Sequence, residues 1–389
     1  MSLENPFIAP PLDVHTATYE ATQWAEPFSK FLRLSGRPCR VVSPCAGVNS
    51  PERAAREMQM PWVSVGDYEK YIGLKPALLY LTQDENSVHV GRARGDVLGV
   101  PLCDLPLDAD GLVSGPPCPP FSTIGARLLD LDARSDVFLA IAKWILHLVF
   151  FGKLSWFVLE NVPGIKKKKR GDEESFASWF MREMTKELPD TWSMRLVDHN
   201  SNLCLLPQNR PRVFFVGTSP ALRATPLQRR VLAANPLSRP PVDIMQFLDK
   251  TSQPADYDRL SFRQTINLTQ QLDDFRQAES TTVGIVDVAR DPLRAFDSEP
   301  SVGCTRTLRT NCCSLWILPG KSFEAVFGEK GRFLNRSEKC RLAGIVPSSL
   351  AMLSDSDLDQ AIGNTIPVPL IGHVLYPVLR AWAESLKRS

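Results

Sequence analysis

The sequence lacks any C-x-x-C pair, although it has nine cysteines among its 389 residues. Cysteines paired at that spacing are the usual sign of a zinc site, so we predict that the chain holds no metal. The cysteines are odd in number and scattered. This usage favours a reducing, intracellular environment.

From its apolar runs, we predict that the sequence has no membrane-spanning helix. The most apolar window, residues 137–151, spans 15 residues and carries Lys143 and His147, whereas a membrane helix needs about 20 apolar residues. The first residues also lack a basic region followed by an apolar stretch, so we expect no signal peptide. We expect no membrane partner, and a location in the nucleus if the source is eukaryotic or in the cytoplasm if it is bacterial.

The sequence has no large excess of charge of either sign. Its formal net charge is +2 at pH 7, so a nucleic-acid binder of this composition needs its positive charge clustered locally. Hydrophobic residues make up 43% and charged residues 23%, which are ordinary values for globular proteins. The length suits one large domain plus a smaller one.

The first half of the sequence alternates short apolar runs with helix-like segments. We predict buried strands at five short apolar runs: 39–45, 61–68, 111–118, 154–162 and 211–218. We predict helices over 50–60, with Ser50 as the cap, and over 133–150. This alternation favours an α/β domain with a mainly parallel sheet, where ligands collect beyond the carboxyl ends of the strands.

The character of the sequence changes after about Thr218. The chain becomes polar, proline-bearing and irregular there, and it turns regular again from about Gly331. We therefore predict three segments. Residues 1–220 form the first part of a large domain, 221–325 form a smaller domain, and 326–389 return to the large domain.

Cys118 lies in the segment GPPCPPFS, just past a predicted strand. Prolines on both sides of it fix the backbone and remove hydrogen-bond donors. Such a rigid loop can pre-position a nucleophile, or it can be a plain structural turn.

Two further pairs of polar residues lie at predicted strand ends. Glu160 and Asn161 end one strand, where a partly buried carboxyl group has a raised proton affinity and can act as an acid, or can bind backbone amides. Arg210 and Arg212 enter the last strand, and alternation predicts that both side chains lie on one face. They suit a carbonyl or phosphate oxygen, or a surface ion pair.

Four motifs, GPPCPPFS, ENVPG, QNRPR and GNTIPVP, occur in this order along the chain. In order and spacing they resemble the sequential motifs of the cytosine carbon-5 DNA methyltransferase family, over most of the chain. The resemblance implies an S-adenosylmethionine-dependent, Rossmann-like mixed sheet with helices on both faces. It also implies that 1–220 and 326–389 form the catalytic domain and that 221–325 is a target-recognition domain.

The resemblance implies roles for the residues in these motifs. Cys118 is expected to attack carbon 6 of cytosine, and Glu160 to protonate or hydrogen-bond N3. Arg212 is expected to hold the cytosine O2. Asn161 is expected to orient the catalytic loop, and Arg210 to support that loop or a phosphate. Because the target base is stacked in a duplex, it must be flipped out.

The family's glycine-rich turn is altered in this chain, where it reads SPCAGVNS. Cys45 stands in place of an aromatic residue beside the adenine, and Gly47 is kept. Asn49 and Ser50 replace later glycines. Since Asn tolerates the left-handed backbone region better than most residues, the turn can keep its shape.

The resemblance implies further residues that bind S-adenosylmethionine. Asp67 stands where an acid binds the ribose hydroxyls, and Glu69 is a rival for that role. Asp96 resembles the acid that meets the adenine amino group. Pro117 and Asn364 complete the set, Asn364 as part of the motif that closes the cofactor pocket.

We expect S-adenosylmethionine and duplex DNA with a flipped cytosine as the partners of a monomeric enzyme. One alternative is a tRNA cytosine-5 methyltransferase of the same fold. That relative usually carries Cys-Phe-Thr after the recognition domain, and this tripeptide is absent from the sequence. The other alternative is a catalytically weak nucleic-acid-binding homologue. The altered glycine turn favours it, but the presence of Cys118, Glu160 and Arg212 argues against it.

Overall fold

The structure is a computed structural model, which describes residues 24–26, 28–29, 37–74, 76–78, 95–117, 135–168, 173–236, 238–250, 257–278, 282–290, 300–310 and 314–387. The strands are β1 (Cys39–Pro44), β2 (Trp62–Tyr68), β3 (Gly111–Ser114), β4 (Trp156–Asn161), β5 (Ser193–Asn200), β6 (Gln208–Asn209), β7 (Pro211–Thr218), β8 (Gly284–Asp287), β9 (Ser301–Val302), β10 (Thr305–Arg306), β11 (Leu315–Leu318) and β12 (Arg332–Phe333). The helices are α1 (Ser50–Glu57), α2 (Ser135–Phe151), α3 (Phe176–Glu187), α4 (Pro226–Ala233), α5 (Phe262–Gln277), α6 (Glu324–Phe327), α7 (Arg336–Leu342), α8 (Asp355–Asn364) and α9 (Val368–Leu386).

The chain folds into two compact units. The first, called the sheet unit here, comprises Trp24–Asn200, Pro211–Ser238 and Thr365–Ser389. The second unit comprises Ser201–Arg210 and Arg239–Asn364. These limits differ from the predicted limits at 220 and 325. Helix α4 belongs to the sheet unit because its buried Gln228 donates to the carbonyl of Ala381 in α9, at 2.9 Å.

A six-stranded sheet with the order β2-β1-β3-β4-β7-β5 forms the centre of the sheet unit. Neighbours from β2 to β4 pair in parallel, whereas β7 runs antiparallel to both β4 and β5. The prediction of a mainly parallel sheet is confirmed, and each of the five predicted strands forms. Strand β5 was not predicted because it lies at the edge, where most of its residues are only partly buried and no apolar run is needed.

Both faces of this sheet are buried. On one face, Phe138 of α2 and Phe180 of α3 pack with Phe215 of β7, with ring centroids 4.7–5.9 Å apart. On the other face, alternate strand residues such as Trp156 and Phe214 are also fully buried. Helices α1, α4 and α9 pack together in the same unit. The predicted arrangement, helices on both faces of a mixed sheet, is confirmed.

Helix α9 is buried on all sides, from Val368 to Ala383. Within the described residues, Asp355–Leu386 is long and apolar enough to cross a membrane, but 89% of its most apolar window is buried inside the protein. A helix that is apolar all round and packed on every side is typical of a protein core.

The second unit is built on a small antiparallel sheet with the order β12-β11-β8-β9, and β6 pairs in parallel with β10. Helix α5 covers the small sheet, with Leu272 and Phe275 packed against Val286 and Trp316. The segment around α7 is fixed by the buried pair of Arg332 and Glu338, 2.5 Å apart.

Candidate active site

Glu160 and Arg212 form a buried ion pair at the carboxyl edge of the main sheet. Because β7 runs antiparallel to β4, its first residues lie beside the last residues of β4. Arg212 Nε lies 2.5 Å from Glu160 Oε1, and the two side chains are 8% and 11% exposed. A buried ion pair loses much of its attraction to desolvation, so it is weak evidence for a stabilising role. Its position at the ligand edge of the sheet instead suggests a functional one.

Gly115 brings the start of GPPCPPFS against the same carboxyl group. A Cβ built at Gly115 would lie 3.3 Å from Glu160 Oε2 and 3.6 Å from the Cδ1 of Ile366. A Cβ at this position would require the Glu160 carboxylate to move by a few tenths of an ångström. The glycine thus lets the start of the segment lie close to the carboxyl group that pairs with Arg212.

Asn161 connects the end of β4 to the segment that follows β3. Its side chain is fully buried, and Nδ2 donates to the Pro116 carbonyl at 3.4 Å, while Oδ1 accepts from the Val162 amide at 2.9 Å. Pro117 is half-buried and is the last described residue of the segment. Cys118, the predicted nucleophile, lies outside the described residues.

The turn after β1 holds left-handed residues at alternate positions. Cys45, Gly47 and Asn49 have φ angles of 56°, 57° and 53°. The left-handed region costs an ordinary L-residue roughly 1–2 kcal/mol, and Cys45 bears this cost, whereas Gly and Asn occupy the region routinely. Asn49 thus keeps a backbone conformation that glycine would otherwise supply.

Asn49 is also the cap of α1, one residue earlier than the predicted Ser50. Its side chain accepts from the Glu52 amide, and its Nδ2 donates to Asp67 Oδ1 at 3.1 Å. Ser64 Oγ donates to the same Asp67 oxygen at 3.0 Å. A bulge in β2, where Val41 and Val42 face Ser64 and Gly66, puts Ser64 and Asp67 on one face. Asp67 is consequently buried in a polar network beneath the turn.

Glu69 is the carboxylate that contacts the turn itself. Its Oε2 accepts from the Gly47 amide at 2.8 Å, and its Oε1 accepts from the Tyr71 amide at 2.8 Å. Both candidate acids therefore lie at the turn, Asp67 beneath it through Asn49 and Glu69 against its backbone.

Cys45 and Asp96 lie in the same region. Burial, together with the nearby charges of Glu69 and Asp96, raises the pKa of the Cys45 thiol to about 12. Ser114, at the end of β3, donates to the Pro44 carbonyl at 2.5 Å. The Lys70 ammonium, 2.7 Å from Asp96, holds the pKa of that carboxyl below its usual value. The structure thus brings the predicted acid Asp96 close to the glycine turn.

Arg210 belongs to the second unit, where it joins two separate segments. Its Nη1 donates to the Leu308 carbonyl at 2.6 Å and its Nη2 to the Gly363 carbonyl at 2.8 Å. Arg210 lies between β6 and β7 rather than within a strand, so alternation does not apply. Arg210 binds two backbone carbonyls, whereas Arg212 pairs with Glu160, so the two arginines have different partners.

Asn364 is the last residue of α8 and is exposed. The preceding Gly363 is required by a close approach, because a Cβ there would lie 2.0 Å from the Thr310 amide nitrogen. The following Thr365 belongs to the sheet unit, where its hydroxyl is 2.7 Å from that of Ser50 at the start of α1.

The model of the family described as C-5 cytosine-specific DNA methylase matches residues 89–380. The Type II methyltransferase M1.ScrFI of Lactococcus lactis is 30% identical over 304 residues, which are 75% of this chain and 68% of that enzyme. The chain belongs to the C-5 cytosine-specific DNA methylase family. The resemblance drawn from the four motifs is confirmed.

Other proteins match this C-5 cytosine methylase over a shorter part of the chain or at lower sequence identity. The Type II methyltransferase M.DdeI of Desulfomicrobium norvegicum is 29% identical over 141 residues, 35% of this chain, and the match spans only 32% of that enzyme. EhMeth of Entamoeba histolytica superimposes with a TM-score of 0.56 at 13% identity, over 90% of this chain and 98% of its own. DNMT2 of Spodoptera frugiperda superimposes with a TM-score of 0.55 at 14% identity, over 90% of this chain and 99% of its own. These structures support the fold alone.

The family uses S-adenosylmethionine as its methyl donor, as predicted. The residues around the glycine turn fit this group. The Glu69 carboxylate suits hydrogen bonds from ribose hydroxyls, and the Asp96 carboxylate suits an amine donor. The match to the family model begins at residue 89, so the turn is not covered by it, and the fit rests on this geometry.

Three contributors to the site were not predicted. Ser114 and Lys70 act on neighbours of the turn, but single polar residues at strand ends carry no distinctive sequence signal. Ser64 is brought to Asp67 by the bulge, which sequence alternation does not reveal. Among the described residues, no three His, Cys, Asp or Glu side chains are grouped to hold a metal ion.

Proposed function

We propose that this methylase transfers a methyl group from S-adenosylmethionine to carbon 5 of a cytosine in DNA, through a covalent bond to Cys118. The observation that carries the proposal is the buried Glu160–Arg212 pair against Gly115. The pair offers a carboxyl group and a guanidinium side by side, and Gly115, which lies against that carboxyl group, precedes Cys118 by three positions in the sequence. A pyrimidine needs both an acid and a cation to accept a nucleophile.

The roles of the residues follow from cytosine chemistry. The Cys118 thiolate forms a bond to carbon 6, and the ring's double-bond electrons then make carbon 5 nucleophilic. Glu160 stabilises this adduct by a proton or hydrogen bond at N3, and Arg212 holds the O2. After methylation, the carbon-5 proton passes to a base. The carbon 5–carbon 6 double bond re-forms as the bond to sulfur breaks, which restores the thiolate.

The donor is held at the turn after β1. When bound, S-adenosylmethionine supplies an electrophilic methyl group on a positively charged sulfur. We assign the ribose contact to Glu69, because its carboxylate reaches the turn amide, and the contact with the adenine amino group to Asp96. Asp67 shapes the turn from beneath through Asn49.

Duplex DNA is the proposed substrate, and the reacting cytosine is flipped out of the helix because carbon 6 is inaccessible within the stack. The family description and the names of the Type II relatives support DNA over tRNA. The proposal includes a monomeric enzyme in the nucleus or cytoplasm with no membrane partner.

A methyl-transfer assay with labelled donor tests this function. The substrates are duplex DNA, single-stranded DNA and tRNA, and Cys118→Ala is the control. We expect label on cytosine of duplex DNA, and a loss of at least about 10³-fold in the variant, as when a covalent nucleophile is removed. If label appeared on tRNA alone, tRNA and not DNA would be the substrate. Donor binding without transfer to any of the three would favour a binding homologue.

A further inference from the structure

A chain of buried contacts in the sheet unit runs from Trp24 to the turn after β1. The Trp24 indole Nε1 donates to the Glu57 carboxylate at the end of α1. Arg53, one turn back along α1, interacts with the same carboxylate through its charge. The Arg53 Nε in turn donates to the Val48 carbonyl at 2.8 Å. Val48 lies within the turn.

Trp24 sits in a closely fitted place on α9. The indole is fully buried, and a Cβ added to Gly372 would lie 1.9 Å from its ring, so no other residue fits there. The ring stacks on His373 with centroids 5.7 Å apart. Phe28 packs against Tyr376 at 4.4 Å. The position of the indole N–H is therefore fixed by packing.

Glu57 is an unusual partner for plain core packing. Burial raises the pKa of this carboxyl to about 8, so the site tolerates the charge poorly, and an apolar residue would pack there at lower cost. What a carboxylate adds is direction, because it orients both the indole N–H and the Arg53 guanidinium. Arg53 is itself only 7% exposed.

Helix α1 is short enough to act as one rigid piece. It has eight residues, about 12 Å of helix. Its start is fixed by the Ser50–Thr365 contact and its end by Trp24 and Glu57. The contacts of Glu57 and Arg53 therefore connect the end of the helix to the turn that precedes it.

We propose that Trp24 is a positioning residue for the methyl donor, which sets the shape of the turn at 45–49 through Glu57 and Arg53. The inference rests on the donor site of the proposed function. It adds a residue on which donor binding depends and which contacts the C-terminal end of α1, whereas the donor site lies at the N-terminal end.

The test compares Trp24→Phe with Trp382→Phe. Trp382 is also a buried tryptophan, but it belongs to α9 itself, and its ring lies against the Arg37 guanidinium, 5.1 Å from the ring centroid. We expect Trp24→Phe to raise the Kd for S-adenosylmethionine about fivefold by calorimetry, and to raise KM for the donor equally while kcat at saturation is unchanged. Trp382→Phe should lower the melting temperature and leave the Kd within about twofold.

A double-mutant cycle identifies the route. Arg53→Lys keeps the charge and loses the fork that reaches Val48, so it should weaken donor binding as Trp24→Phe does. If Trp24 and Arg53 act through the same series of contacts, the double variant should bind S-adenosylmethionine no more weakly than the weaker-binding single variant. Additive losses would overturn the route. Should Trp24→Phe not fold, Glu57→Leu, which removes the acceptor of the indole N–H and puts an apolar side chain in its place, should weaken donor binding as Trp24→Phe does.

The outcomes separate this inference from the function on which it rests. A Trp24→Phe protein that binds the donor like the unaltered protein overturns the positioning role alone. Absence of donor binding by the unaltered protein overturns the donor site, and the positioning role with it.

Discussion

At the scale of single residues, two carboxylates two positions apart do different work. Asp67 is buried and accepts hydrogen bonds from Asn49 and Ser64. Glu69 is partly exposed and accepts from the Gly47 amide. The first shapes the turn, and the second is available to a ligand. The sequence suggests both as candidates but does not rank them, because the bulge in β2 decides which way each side chain points.

Replacing each acid by its amide separates these roles. Glu69→Gln should weaken S-adenosylmethionine binding about tenfold, since a hydrogen bond to a charged group is worth about 1.5–3 kcal/mol, with little change in stability. Asp67→Asn should lower the free energy of unfolding by about 1–3 kcal/mol, because two buried donors then face an amide. Calorimetry and urea denaturation measure the two effects. The reverse pattern would return the ribose contact to Asp67.

Glu160 and Arg212 were predictable as a functional pair from their motifs, but their mutual contact was not. The motifs give the residues in order along the chain, whereas the contact depends on β7 running antiparallel beside β4. Cys118 remains a prediction from sequence alone.

At the scale of secondary structure elements, the second unit has a closely packed joint between Arg210 and the end of α8. Arg210 bridges the carbonyls of Leu308 and Gly363, and the backbone of Thr310 packs onto Gly363. These contacts give the first Arg of QNRPR and the Gly of GNTIPVP a structural role in this chain. In this structure the role of Arg210 is positional.

Gly363→Ala should destabilise the protein by about 1–3 kcal/mol, the usual range for overpacking. A methyl group there would overlap the Thr310 backbone, which cannot rotate away as a side chain can. Gly99→Ala is the matched control, because no atom lies within 4 Å of a Cβ at that position, and it should change stability by no more than about 0.5 kcal/mol. Equal urea midpoints for the two variants would contradict the prediction, because they would show that the Thr310 backbone moves away from the added methyl group at little cost.

Most elements of the central sheet could be predicted because both faces of the sheet are covered. Full burial demands continuous apolar runs such as those of β4 and β7, which the sequence displays directly. Edge strand β5 is half-buried and gives no such signal. The antiparallel direction of β7 was not predictable either, because an apolar run does not indicate in which direction its strand will run in the sheet.

At the scale of the whole molecule, the chain combines a methyltransferase sheet with a second unit inserted into it. The unit limits at 238 and 364 follow packing rather than composition. The polar residues after 220 still contribute α4 to the sheet unit, and the regular residues from 331 to 364 complete the second unit. The composition of a segment indicates how exposed its residues are, but it does not indicate with which of the two units a helix packs.

The central claim is that Cys118 bonds to a flipped cytosine. The most direct measurement is mass spectrometry of the protein incubated with S-adenosylmethionine and duplex DNA that carries 5-fluorocytosine. Fluorine replaces the proton that must leave carbon 5, so the bond to sulfur cannot break. We predict a stable adduct of one protein with one oligonucleotide, mapped to the Cys118 peptide and dependent on the donor. Methylation of ordinary cytosine without such an adduct, or an adduct at another residue, would contradict the account.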